Sequence, residues 1–308
     1  MSSFWGIWLW SGTGKEGKKV RRLIKYMLGF VVVICLSGCS FFKKDMMENI
    51  DIYTTIYPIN YLIKYLYEDN ANVYSIYPNG VNIDDYKLSE KKLNEYSRSD
   101  LFVFNSLDNE RDYAVEMINR NHQLKMIDVG MGMNYEYGVE QLWLNPYNYL
   151  MMAKNVKNGL AEYITNPYLT QSIDTNFEKL QYELSSLDAS FKEMVKYSAY
   201  DTIVVDNDVF KFLEKYDLNI ISLENNDSLT TPTINEVKKL LESGKVKYIY
   251  SSSSSSNDTV NELIKDYGAE LITINTMRSI DGGVTNSNEN YLTVMNNNID
   301  LFKRELYK

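Results

Sequence analysis

The chain has 308 residues, 44% hydrophobic and 24% charged, with 15 Gly and 5 Pro. This is globular composition, too poor in turn formers for a fibrous or low-complexity protein. A formal charge of −9 argues against a nucleic-acid binder, because phosphate contacts need clustered Lys and Arg. One His (His122) and two Cys (Cys35, Cys39) leave almost no imidazole or thiolate for a zinc or copper site.

The first element is a targeting segment. Lys18-Lys19-Val20-Arg21-Arg22-Leu23-Ile24-Lys25 gives a cationic n-region, and the apolar run Met27 to Leu36 follows it. The run is about half the ~20 residues that a spanning helix needs, so export outweighs a permanent transmembrane anchor. Leu36-Ser37-Gly38-Cys39 resembles a bacterial lipobox, which makes Cys39 the lipidated first residue of the mature chain. Residues 1–38 are then the signal segment, and residues 39–50 are the lipidated Cys and a polar tether. Losing residues 1–38 removes six basic residues and one acidic one, leaving 26 against 40 and a mature charge near −14. No thiol remains for a disulfide or redox role. The expected location is extracytoplasmic, on the membrane through lipid at Cys39.

From Ile52 onward strands and helices alternate. Ile52–Ile56 reads as a strand, and Ile59, Leu62, Ile63 and Leu66 recur at helical spacing. Val73–Tyr77 is a second strand closed by Pro78-Asn79-Gly80. Ser89 caps a helix carrying Leu93 and Tyr96, and Leu101–Phe104 is a short buried strand. Next, Ile173, Phe177, Leu180, Leu184, Leu187, Phe191 and Met194 follow spacings of four and three with no Gly or Pro between them. They predict one helix of about 30 residues, roughly 45 Å long. A coiled-coil seam is the alternative, and it needs more repeats and flanking charges.

After this helix the alternation resumes. Thr202–Val205 is a strand, Val209–Tyr216 a helix and Asn219–Leu223 a strand. Thr233-Ile234-Asn235-Glu236 reads as a capping box for a helix ended by Ser243-Gly244. Val246–Tyr250 and Leu271–Ile274 are strands, with residues 259–267 helical between them and Tyr291–Leu306 as the closing helix. Six serines at 251–256 form a loop at the carboxyl edge of a sheet. The fold class is α/β: two β/α lobes with parallel sheets, residues 51–166 and 199–308, joined by one long rigid linking helix over 167–198.

Several strings, in order, resemble the substrate-binding lipoproteins of zinc and manganese ABC transporters. Tyr53-Thr54-Thr55-Ile56-Tyr57-Pro58 is similar to the first strand and turn of that family. Tyr77-Pro78-Asn79-Gly80-Val81-Asn82-Ile83-Asp84-Asp85-Tyr86 resembles its Pro-x-Gly-x-x-x-His-Asp-Tyr segment. Ser99–Asn105 is similar to its next strand, and Leu142-Trp143-Leu144-Asn145-Pro146 to its Val-Trp-Leu-Asp-Pro. The resemblance covers nearly the whole mature chain. It implies a periplasmic-binding-protein fold with a helical backbone, a metal cargo held between the lobes, and delivery to an ABC permease by a monomer.

All four positions that the resemblance assigns to metal ligands have changed. Asp84 stands where the first His would be, Gln141 at the second, Asn207 at the third, and Asn275 at the carboxylate. Three carboxamides and one carboxylate are poor zinc donors. Oxygen-only donors suit Ca²⁺ or Mn²⁺ better, so a weakly bound divalent ion with Asp84 as its oxygen ligand is the most this set implies. Asp85, Tyr86, Asp206 and Asp208 leave room for a shifted oxygen site. His122, in a polar loop, is expected at the surface.

Two functions follow from this reading. The first is a solute-binding lipoprotein that captures a ligand in the inter-lobe cleft for a permease. The second is a surface adhesin or interaction lipoprotein on the same scaffold, without cargo. An enzyme is not expected: there is no Gly-x-Ser-x-Gly elbow or phosphate loop, and Gly130-Met131-Gly132 lacks the third glycine of a dinucleotide fingerprint.

Overall fold

The computed structural model describes residues 46–253, 256–278 and 289–308. The signal segment and lipobox expected from the sequence, with Cys35 and Cys39, lie outside the described residues, as do Ser254 and Ser255 of the serine loop.

Two four-stranded, all-parallel sheets form the layers. In the first, β1 (Ile50–Thr54), β2 (Ala71–Ser75), β3 (Leu101–Phe104) and β4 (Lys125–Asp128) stand in the order β2-β1-β3-β4. Tyr53 is in register with Tyr74 on one side and Phe102 on the other. In the second, β5 (Thr202–Val205), β6 (Asn219–Ser222), β7 (Tyr248–Ser251) and β8 (Glu270–Thr273) repeat the pattern as β6-β5-β7-β8. Each order reverses beside its first strand, and ligands in open parallel sheets sit at the carboxyl ends of strands at such a point.

The helices cover both faces, which parallel strands require. In the first lobe these are α1 (Tyr57–Tyr67), α2 (Glu90–Tyr96), α3 (Glu110–Arg120), the short α4 (Gln141–Leu144) and α5 (Pro146–Tyr163). The expected long helix is α6 (Pro167–Lys196). Asn166 opens it by accepting the amides of Tyr168 and Leu169, with Pro167 in its first turn. The second lobe has α7 (Thr231–Glu242), α8 (Asp258–Tyr267) and the closing α9 (Tyr291–Leu306).

Three local readings change. The segment read as a helix from Val209 to Tyr216 is a 3₁₀-helix, Asp208–Tyr216, and its buried Phe210, Leu213 and Tyr216 repeat every third residue, the 3₁₀ period. Helix α7 starts earlier than the expected capping box: Thr230 caps it by accepting the Thr233 amide at 3.3 Å, and Pro232, whose φ is preset, occupies its first turn. Helix α5 was not anticipated, although Asn145-Pro146 is a cap-and-proline start and Tyr149, Met152, Ala153, Val156, Leu160 and Tyr163 form a buried stripe. Gly159 lets α5 lie on β4, because a Cβ there would come within 2.8 Å of Ile127.

One core runs through both lobes. It includes Leu62 of α1, Met152 of α5, Leu180 and Phe191 of α6, and Phe302 of α9, all buried. Helix α6 packs against α1 and α5 on one side and α9 on the other. A tyrosine stack, Tyr61–Tyr291 at 5.8 Å and Tyr149–Tyr291 at 4.0 Å, joins the same helices. Such shared packing makes the lobes poor candidates for wide hinge motion.

Candidate functional site

The connections leaving the carboxyl ends of both sheets carry the four positions that the resemblance marks as ligands. Asp84 lies on the loop after β2, Gln141 opens α4, Asn207 follows β5, and Asn275 follows β8. Among the described residues no hydrogen bond joins any two of these four. Each is engaged elsewhere or buried.

Asn207 and Asn275 use their side-chain oxygens locally. The Asn207 Oδ1 accepts the Val209 amide at 2.8 Å and caps the 3₁₀-helix. The Asn275 Oδ1 accepts the Met277 amide at 2.9 Å, while its own backbone is clasped by Asn298, which donates to the Asn275 carbonyl at 2.9 Å and accepts its amide at 3.2 Å. Gln141 is buried on α4. Amide oxygens committed to capping are not presented to an incoming ion.

Asp84 meets a cation of the chain itself. Arg278, three residues past Asn275, reaches across to place Nη2 2.5 Å from Asp84, and Nη1 3.1 Å from Asp108 and 3.4 Å from Glu140. The guanidinium side chain is 19% exposed, against 13% for Asp108, 20% for Glu140 and 54% for Asp84. Burial alone would lower the Arg278 pKa, but the three carboxylates outweigh it and hold the charge on. Burial raises the Glu140 carboxyl, and Arg278 opposes that rise. Asp108 and Glu140 were missed in the sequence, because neither stands in a position that the resemblance marks. Arg278 was missed as well, being one of the 32 Lys and Arg of the chain with no motif around it.

Local structure aims Arg278. Met277, 1% exposed, holds a left-handed φ of +57°, an uncommon conformation for a side chain of that size. Ahead of it, the Thr276 carbonyl accepts the Trp143 indole N–H at 2.6 Å, and the Trp143 carbonyl accepts the Tyr291 hydroxyl at 2.6 Å. The loop after β8 is therefore fixed to α4 and α9 before Arg278 extends.

The other oxygen donors considered from sequence are engaged too. Asp85 accepts from Asn82 at 2.7 Å. Asp206 accepts the Ser251 hydroxyl and, at 3.3 Å, the Ser252 amide. Asp208 pairs with Lys211 at 3.0 Å and accepts from Asn226 at 3.1 Å. Burial would raise the Asp208 carboxyl, but hydrogen bonds from Ser222, Lys211 and Asn226 bring it down. His122 is exposed on its loop. Among the described residues no three His, Cys, Asp or Glu side chains are grouped to hold a metal ion, and the donors at the four positions that the resemblance marks do not fit zinc.

A further polar group lies behind Asp108, at the switch point between β1 and β3. Glu110 is 1% exposed and accepts the Asn105 amide at 3.1 Å, and burial, reinforced by the Asp108 charge, pushes its carboxyl up to about 8. Among the described residues the buried Glu110 Oε1, Asn105 Nδ2 and Thr55 Oγ1 have no hydrogen-bond partner.

Comparison with known proteins places this arrangement. Residues 52–305 match the family model ZnuA, "Zinc-uptake complex component A periplasmic". The zinc-binding lipoprotein AdcA of Streptococcus pneumoniae is 22% identical over 93% of the chain, and the chain spans about 61% of that relative's length. A metal ABC transporter substrate-binding lipoprotein of Lactococcus lactis is 23% identical over 94% of the chain and 99% of its own. The crystal structure of the metal-dependent lipoprotein YcdH from Bacillus subtilis superposes with a TM-score of 0.70 at 19% identity, covering 84% of this chain and all of that one. That likeness extends the same fold, two parallel-sheet lobes on a long helix, to this chain. With the family model covering most of its length, the chain belongs to the ZnuA family, described as zinc-uptake complex component A, periplasmic.

Proposed function

We propose that the protein is an extracytoplasmic solute-binding lipoprotein, anchored through Cys39, that captures a polar solute between its lobes and presents it to an ABC permease. The observation that carries this reading is that all four family ligand positions, Asp84, Gln141, Asn207 and Asn275, stand on the carboxyl-end connections of two parallel sheets, where ligands of such folds bind. The relatives named for zinc or metal binding supply the transport context. The changed donors argue against zinc as the cargo and leave a weakly held Mn²⁺ or Ca²⁺ on Asp84 as the limiting metal case. With the lobes sharing one core through α6, capture involves small loop and lobe adjustments.

A second reading, a cargo-free interaction lipoprotein on the same scaffold, is favoured by one observation. The carboxylate at the first ligand position is already neutralised by Arg278.

The two readings separate in a titration. Chelator-treated protein is followed by calorimetry and thermal unfolding with Zn²⁺, Mn²⁺, Ca²⁺ and a panel of amines, amino acids and sugars. A stabilising organic solute supports capture, since a ligand that binds the folded state raises its stability. No response to any solute supports the cargo-free reading. Tight zinc binding contradicts the account of the donor set.

A further inference from the structure

Arg278 places a cation of the chain itself among carboxylates of the other lobe. Three separate connections of the first lobe each send one carboxylate to the same guanidinium: Asp84 from the loop after β2, Asp108 from the loop after β3, and Glu140 from the approach to α4. The guanidinium comes from the loop after β8, in the other lobe. Among the described residues no other Lys or Arg pairs with any of the three carboxylates. Without Arg278 three negative charges would face one another at a partly buried edge, an arrangement that either separates or recruits a cation.

A second, independent observation points the same way. Met277 is buried in a left-handed conformation, and Asn275, Asn298 and Trp143 hold the loop around it. Residues in such conformations persist only where their surroundings over-determine them. Here the result is to aim Arg278 across the cleft. Asn275, the residue at a family ligand position, helps place the cation that stands in for the ligated ion.

We propose that Arg278 is a resident cation and the specificity-determining residue of the cleft: it pins the loops bearing Asp84, Asp108 and Glu140, holds the lobes together without a bound ion, and keeps divalent ions off those carboxylates. This goes beyond the proposed transport function and holds for either reading of the cargo.

Thermal unfolding of purified, chelator-stripped protein tests it, with wild type and Arg278→Gln compared before and after millimolar Mn²⁺ or Ca²⁺. The wild-type midpoint should move by less than about 1 °C, and that of Arg278→Gln should rise by about 2–4 °C as the three carboxylates, not grouped for a metal while the guanidinium stands among them, draw together on the ion. Adding Asp84→Asn to the variant should remove the gain, and Arg278→Lys, which keeps a cation, should behave like wild type. A wild type that responds as strongly as Arg278→Gln, or a folded Arg278→Gln that responds no more than wild type, overturns the proposal. Should Arg278→Gln fail to fold, small-angle scattering of the wild type decides. A radius of gyration unchanged by Mn²⁺ supports a cleft already closed, and compaction on adding Mn²⁺ contradicts it. Failure of every organic solute to bind would remove the cargo reading and leave these ion responses as they are.

Discussion

The carboxyl edges of the two sheets have the same strand order but satisfy their carboxylates differently. In the second lobe the switch point between β5 and β7 is self-satisfied: Asp206 takes the Ser251 hydroxyl and the Ser252 amide. In the first lobe the corresponding point leaves Thr55, Asn105 and Glu110 with buried polar atoms to spare, and the loops beside it carry Asp84, Asp108 and Glu140. The carboxylates of the second edge, Asp206 and Asp208, find their donors within that lobe, while Asp84, Asp108 and Glu140 of the first meet Arg278 from the other lobe. The two lobes meet directly here, through these Arg278 pairs.

The largest expected effect breaks the scaffold that the two edges share. Trp143→Ala removes a buried ring and the bond that fixes the Thr276 carbonyl, and it should lower stability by about 3–5 kcal/mol in denaturant unfolding. Next comes Arg278→Gln. Truncating one partner of a well-buried ion cluster costs about 3–5 kcal/mol. The exposure of Asp84 and the freedom of its loop reduce that here to about 2 kcal/mol, a loss that added Mn²⁺ should partly restore.

Glu110 sharpens the contrast through pH. Its folded pKa, near 8, lies above the ordinary carboxyl value, so between about pH 5 and 8 the folded state binds more protons than the unfolded one. Stability from this group is therefore present at pH 5 and falls as pH rises. Chemical denaturation should show Glu110→Gln gaining on wild type between pH 5 and pH 8, and a constant difference across that range would refute the buried-acid assignment. The smallest effect belongs to Asp84→Asn. Half exposed, it should cost under about 1 kcal/mol, and the loss should shrink further in high salt.

Much of the fold was legible because periodicity encodes burial. The four-and-three spacing from Ile173 to Met194 gave α6 nearly to the residue, and Thr202–Val205 and Tyr291–Leu306 coincide with β5 and α9. What escaped depended on competing local signals. Helix α5 begins inside a polar stretch, Asn145 to Asn148, that reads as loop until the later Met152–Val156 stripe is counted. At α7, Thr230 and Thr233 both offer hydroxyls, and Pro232 decides for the earlier start. For the candidate site the sequence offered four positions by resemblance and none of the contacts that they make. That Asn207 and Asn275 would become caps follows from their local bonds, and that Arg278 would meet Asp84 is a contact across 194 residues, which no local pattern records.

The central claim is that this cleft is filled by its own guanidinium. Crystals grown with zinc or manganese present, with anomalous differences collected at the metal edge, test it most directly. The expected map has no anomalous peak among Asp84, Asp108 and Glu140, with Arg278 density lying between them. A strong peak there, with Arg278 displaced toward solvent, would contradict the claim.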